Sequence, residues 1–168
     1  MNYFGLFIEL PKKLEALIYR EKKKIKELSI NEFVNHPPHI TVATFSKPYK
    51  EVLDEISFTP TPIVITNKNY FIDDNSNLTL YYNIKSNPSL VDLHYQIINN
   101  LNEKNINILY PYVKSEWKAH ITIGQIKNKE YALNFANENS KIETTVDGLS
   151  YIKYENKKHL NLKKKKYC

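Results

Sequence analysis

Apolar and polar positions along the chain switch period several times, and each switch marks an element. Tyr3 to Leu10 is a short apolar run closed by Pro11 and predicts a buried strand. From Lys12 to Ser29, Leu14, Leu17, Ile18, Ile25 and Leu28 recur at helical spacing, with Lys and Glu on the other side. Pro37-Pro38 breaks the chain, and His39 to Phe45, rich in Ile, Thr and Val, predicts a strand. A short helix fits around Lys50 to Ile56.

Thr61 to Ile72 and Leu78 to Ile84 read as two strands. The polar link Asp73-Asp74-Asn75-Ser76-Asn77 makes them a hairpin. Pro88 suits the first turn of a helix over Ser89 to Asn102, whose Leu90, Leu93, Ile97, Ile98 and Leu101 share one face. A loop containing Trp117 leads to a strand from Ala119 to Ile126 and a helix from Asn128 to Asn139. Two last strands, Thr144 to Tyr154 and His159 to Lys165, flank a turn at Glu155-Asn156-Lys157-Lys158. No linker or low-complexity stretch divides the chain, so positions 1–168 read as one unit.

Within this pattern one motif occurs twice. Pro38-His39-Ile40-Thr41-Val42 and Ala119-His120-Ile121-Thr122-Ile123 are near-copies, each in a strand that follows a helix-rich stretch. Alternate residues of a strand share a face. His39 and Thr41 therefore project together, as do His120 and Thr122, while the Ile and Val residues point into a core. Opposed across a groove, the two polar faces would join two imidazoles to two hydroxyls. Imidazole exchanges protons near neutrality, with a reference pKa of roughly 6.5. Phosphodiester cleavage needs an acid and a base on opposite sides of phosphorus, and donors for its non-bridging oxygens. A single His-x-Thr in a strand is commonplace and more often just hydrogen-bonds locally. Two matched copies in similar half-chains are not. No compact set of His with Cys, Asp or Glu shows metal-ligand spacing, and no glycine-rich phosphate cradle occurs among three glycines.

Composition changes this picture little. The chain has 168 residues, a net charge of +6 and a pI near 9.1. A basic balance suits an anionic partner. But the positive charge is almost all Lys, Arg20 stands alone, and Lys, Asn, Ile and Tyr are abundant together, as in an AT-rich genome. The Lys163–Lys166 run reads as a charged sheet edge, which discourages strand pairing between molecules. Cys168 is the single cysteine, the apolar N-terminus lacks a signal peptide's basic start, and no run is long enough to span a membrane. These features predict a soluble, cytoplasmic protein.

The sequence resembles the 2H phosphoesterase superfamily, in particular its 2′-5′ RNA ligase or RNA 2′,3′-cyclic phosphodiesterase branch. That superfamily carries two His-hydrophobic-Ser/Thr-hydrophobic motifs, and both are intact here. Leu6-Phe7-Ile8-Glu9-Leu10-Pro11, Pro37-Pro38-His39, and Phe58 through Ile84 followed by Leu90-Val91-Asp92-Leu93-His94 also look like its pattern. One departure is Ala119, where many members have proline before the second histidine. The resemblance implies an α+β, bilobal fold: two pseudo-symmetric lobes with antiparallel sheets facing a central groove, helices outside, and one motif strand at the centre of each lobe. It implies a monomeric phosphodiesterase without metal or other cofactor. His39 and His120 would be the acid/base pair and Thr41 and Thr122 the phosphate donors. On this reading His120 activates water and His39 protonates the leaving ribose oxygen, with the reverse nearly as plausible.

Substrates implied are a 2′,3′-cyclic phosphate or a 2′,5′-linked diester in RNA or a nucleotide. A second reading keeps the chemistry but degrades cyclic or 2′,5′-linked oligonucleotide messengers, as a viral enzyme would to evade an immune signal. A third is a non-catalytic RNA- or nucleotide-binding module. Trp117 and Lys118 precede the second motif, and Trp117 either stacks on a base or packs its loop. Tyr110, Tyr112 and Tyr154 are weaker stacking candidates, Lys47 could meet a phosphate, and His36 could touch substrate at the rim. His94 is expected at a surface or packing position, and His159 has no assigned role.

Overall fold

The computed structural model describes residues 2–109 and 117–168. The candidate residues Tyr110 and Tyr112 lie outside them.

The described residues form eight strands and four α-helices: β1 (Tyr3–Glu9), α1 (Lys12–Lys24), β2 (His39–Phe45), α2 (Val52–Glu55), β3 (Thr61–Ile72), β4 (Leu78–Ile84), α3 (Pro88–Glu103), β5 (His120–Ile126), α4 (Lys129–Ala136), β6 (Asn139–Val146), β7 (Gly148–Glu155) and β8 (Lys158–Lys166). They build two four-stranded antiparallel sheets, ordered β2-β1-β7-β8 and β5-β4-β3-β6. The α+β, two-sheet architecture is as expected. One apolar cluster runs through both sheets, from Leu6, Ile8 and Ile40 to Ile65, Leu80 and Ile121. Asn87 and Asn128 cap α3 and α4 by accepting from Ser89 and Tyr131 amides, and Pro88 occupies the first turn of α3.

Several expectations need correction. The stretch read as one strand over Thr144 to Tyr154 is two. Asp147 separates β6 in the second sheet from β7 in the first, so the chain changes sheet at one residue. The α4 helix stops at Ala136 rather than reaching Asn139, because β6 already begins there. And the motif strands are not central. β2 and β5 are each the outermost strand of their sheet, and the two edges pack against each other. Burying both edges in the middle of the molecule satisfies the same need as a central position, since neither is left open to another chain. Likewise α1 ends at Lys24, and a turn of 3₁₀-helix at Lys26–Leu28 finishes the stretch read as helix to Ser29.

The two long helices each cross to the sheet opposite the strand they follow. α1 packs on β5 and α3 on β2. The α1 side of this packing is close: a Cβ on Gly124 would lie 2.7 Å from Ile25 Cδ1, just past the end of the helix. The lysine run lies on β8, at the outer edge of the first sheet. Lys163, Lys164 and Lys166 pair with Asp54, Glu9 and Asp147, and Lys165 Nζ donates to the Leu53 carbonyl.

Candidate active site

The two motifs are equivalent down to a defect in their strands. Opposite β1, Phe7 pairs with Thr41 and Leu6 with Ala43, so Val42 is an extra residue. Opposite β4, Tyr81 pairs with Thr122 and Leu80 with Gly124, so Ile123 is extra. A bulge thus falls at the third position after each histidine, and bulges re-aim the side chains beside them. Buried His94 caps the first bulge, its Nδ1 2.8 Å from the Val42 carbonyl oxygen. That gives His94 a packing role within the site's scaffold.

Each histidine is also held in the same way. His39 Nδ1 lies 2.6 Å from the Pro37 carbonyl oxygen, and His120 Nδ1 2.9 Å from that of Lys118. A carbonyl only accepts, so Nδ1 carries the hydrogen and Nε2 is the nitrogen left for chemistry. The residue facing each motif threonine across the ladder supports the ring. Phe7 stacks flat on His39, with centroids 3.7 Å apart, and Tyr81 meets His120 edge-on at 5.3 Å.

His39, Thr41, His120 and Thr122 line one cleft of about 810 Å³. The structure therefore brings the four motif residues together. Trp117 and Lys118 also line it. Trp117 stacks on His94 with centroids 4.7 Å apart, and its Nε1 donates to the Thr41 carbonyl at 3.3 Å. Tyr154 is on the wall, its hydroxyl donating to Glu32 Oε1 at 2.7 Å. Lys47 is not brought to the site. It is exposed beyond Phe45, while His39 stands at the opposite end of β2. His36 lines the cleft but is buried, its ring among those of Phe33, Tyr154 and His159, rather than standing at the rim.

Sequence reasoning missed His159. Its ring lies 5.4 Å from that of His39 and 4.1 Å from that of His36, and its Nε2 is 3.1 Å from the Tyr3 hydroxyl. A readable signal existed: in a two-residue turn at Asn156-Lys157, Tyr154 must face His159. Both turn residues take positive φ, 50° and 61°, as the tight turn requires. Buried Lys22 is a second omission. Its ammonium donates to the Phe33 and His36 carbonyls at 2.8 and 2.9 Å.

The two histidines differ electrically. Burial pushes His39 well below the ordinary imidazole range; the Pro37 carbonyl opposes this, and His159, Lys22 and His36 lower it further whenever they carry a proton. Burial also lowers His120, but only the Lys118 carbonyl acts on it besides, and upward. His159 is pushed down to about 3 by burial, then His36 and Lys22. Burial alone lowers Lys22 to about 8.

Solved structures share this architecture. TT0787 of Thermus thermophilus superposes with a TM-score of 0.67 at 15% identity, covering 98% of this chain and 97% of that one. Escherichia coli LigT complexed with 3′-AMP gives 0.67 at 12% identity, over 99% and 97%. A further solved structure, described as a phosphoesterase, gives 0.58 at 14% identity, over 99% and 98%. The chain has the LigT fold. At these identities the likeness is one of fold, and it extends along almost the whole of each partner. No family model and no curated protein matches the sequence. Among the described residues no helix is long and apolar enough to cross a membrane.

Proposed function

We propose that this protein is a metal-independent phosphodiesterase that hydrolyses a 2′,3′-cyclic phosphate or a 2′,5′-diester of RNA, an oligonucleotide or a nucleotide. The observation that carries the reading is the matched pinning of His39 and His120. Each imidazole is tied through Nδ1 to a carbonyl two residues earlier and offers Nε2 to one cleft. One imidazole takes a proton from water and the other gives one to the leaving oxygen, which are the two transfers the reaction needs. Thr41 and Thr122 stand on the same polar faces and supply hydroxyl donors to the non-bridging oxygens. Binding of 3′-AMP by LigT, in the same fold, supports a nucleotide-sized occupant, and the cleft volume is within the usual range for small-molecule sites.

A substrate panel tests this: nucleoside 2′,3′-cyclic phosphates, 2′,5′-oligoadenylates, cyclic dinucleotides, and RNA with a cyclic end. Turnover of at least one, unchanged by exhaustive chelation and lost in both His39→Ala and His120→Ala, is the expected result. Near-normal turnover by either variant would sink the two-histidine mechanism. Activity that vanishes on chelation and returns with a metal would sink its metal independence. Cleavage confined to cyclic or 2′,5′-linked oligonucleotides would assign the messenger-degrading reading.

A further inference from the structure

A second cavity, of about 450 Å³, opens beside the cleft on the His120 side. It is lined by the end of β4 and the residues after it, the first turn of α3, and the approach to β5. Asn83, Trp117 and Lys118 line both this cavity and the cleft, so the two spaces adjoin. None of the four motif residues lines it. Lys85 adds a second exposed ammonium to that of Lys118, Thr66 and Ser86 add hydroxyls, and Leu90, Val91 and Ala119 give an apolar wall. Among the described residues no carboxylate lines the cavity, and none is ion-paired with Lys85 or Lys118. The lysines of β8 differ in this respect, since Lys163, Lys164 and Lys166 each have an acidic partner. Asn83 donates through Nδ2 to Thr66 Oγ1 and Asn67 Oδ1, at 3.0 and 3.3 Å, which leaves its own Oδ1 as an acceptor. His94 covers one face of the Trp117 indole, so a planar ligand can meet only the other.

We infer that this cavity is a second nucleotide subsite. It holds the nucleotide next in the chain to the one whose phosphodiester reacts in the cleft, so that a longer oligonucleotide is preferred to its one-nucleotide-shorter counterpart. This rests on the phosphodiesterase reading above and deepens it. The motif residues grip only the reacting phosphate and are blind to what is attached to it. A neighbouring nucleotide brings a phosphate that is not cleaved, and Lys85 and Lys118 meet it with charge that no described carboxylate already neutralises. Its base stacks on the open face of Trp117, a contact that tolerates any base, and the Asn83 carbonyl accepts from an amine or a ribose hydroxyl. A cavity of this size is within the usual range for a small-molecule site. The placement also couples binding to chemistry. His120 Nδ1 is tied to the Lys118 carbonyl, so a ligand seated on Trp117 and Lys118 rests on the segment that aims the second histidine. Binding energy from this remote part of the substrate is thereby available to hold the reacting phosphate in register.

The test compares substrates in pairs that differ by one nucleotide. One pair is adenosine 2′,3′-cyclic phosphate and a 5′-phosphorylated diadenylate with a 2′,3′-cyclic end; the other is 2′,5′-linked diadenylate and triadenylate. In at least one pair the unaltered enzyme turns over the longer member with a kcat/KM about tenfold higher or more, the worth of one stacked base. Lys85→Glu reverses one charge, and Val91→Trp fills the cavity from α3. Each variant brings the longer member down to the level of the shorter and leaves kcat/KM on the shorter within about threefold of the unaltered enzyme, since binding is lost only where the extra nucleotide sits. Added salt shrinks the same advantage, because exposed ammonium–phosphate contacts are screened. Equal turnover within both pairs by the unaltered enzyme would overturn the subsite. So would an advantage that survives in both folded variants, or losses that fall equally on both members of a pair. An unaltered enzyme inactive on all four substrates would sink the phosphodiesterase reading itself, and the subsite with it.

Discussion

Phe7 lies on His39 as a plate, 5° from parallel and 3.7 Å away between centroids. The contact fixes the plane of the imidazole, and the Nδ1 bond to Pro37 fixes its rotation within that plane. Together they determine where Nε2 points before any substrate arrives, which is the kind of preorganisation that sets catalytic rates.

Replacing Phe7 by Leu keeps an apolar side chain in the sheet and removes the plate. The expected outcome is a fall in kcat of about 10-fold or more with KM nearly unchanged, since a small misplacement of a catalytic group is costly. Steady-state kinetics on a cyclic phosphate, with thermal unfolding as the folding control, decide it. An unchanged kcat would show that the Pro37 bond alone aligns the ring.

Thr41→Val and Thr122→Val remove one hydroxyl each with little change in shape. Loss of a transition-state donor costs about 10²–10³-fold in kcat. We expect both variants to fall in that range while leaving Trp117 bonded to the Thr41 backbone. If one variant alone is impaired, phosphate is gripped from one side and the symmetry of the motifs does not extend to substrate.

Acid should loosen the fold through the histidine cluster. The ordinary imidazole value is 6.5, whereas folded His159 titrates near 3, and folded His39 and His36 are displaced in the same direction. Between those values the unfolded chain holds protons that the folded chain refuses. Stability from these groups is therefore complete above pH 6.5 and is lost as pH falls toward 3. Each such histidine contributes at most about 1.4 kcal/mol per pH unit in that window. Urea midpoints at about pH 7.5, 5.5 and 4.5 measure the slope, and His159→Phe should flatten it. A slope equal in the two proteins would refute the attribution.

Lys68 offers a control remote from the chemistry. Its buried ammonium pairs with Glu21 and Glu138 and lies over the rings of Tyr82 and Phe135. Burial lowers its pKa, but the bonds to Glu138 and Glu21 outweigh this and raise it. Removing Glu21 leaves the buried ammonium with the more exposed Glu138 alone, whereas a packed apolar replacement of a buried charge often costs nothing. Glu21→Ala should thus lower the unfolding midpoint, Lys68→Met should change it far less, and kcat should hold in both. A larger loss in Lys68→Met would mean the ion pair itself stabilises β3.

The local elements were open to reading, and their assembly less so. Alternation from His39 to Val42 marked β2, and a polar link marked the β3–β4 hairpin, because burial of one face leaves that pattern in the residues themselves. The division of β6 from β7 left no such trace. Residues on both sides of Asp147 suit a strand, and the change of sheet is decided by which partner each finds, β3 or β1. Alternation is equally silent on whether a strand is central or outermost, which is why β2 and β5 were misplaced. The candidate site divides in the same way. His39, Thr41, His120 and Thr122 stood out because a motif was written twice. His159 is written once, and Lys22 sits on a helix face that reads as solvated; both gain meaning only beside His39.

The exchange of α1 and α3 between sheets makes the chain a fused counterpart of a helix-swapped dimer. Neither half carries the helix that covers its own motif strand, so neither can close its apolar face alone. The first half, cut before α3, would leave β2 bare where His94 should cap Val42. Folding of the halves is on this account one cooperative event, and the cleft comes into being only at its last step, when each half has received its cover from the other.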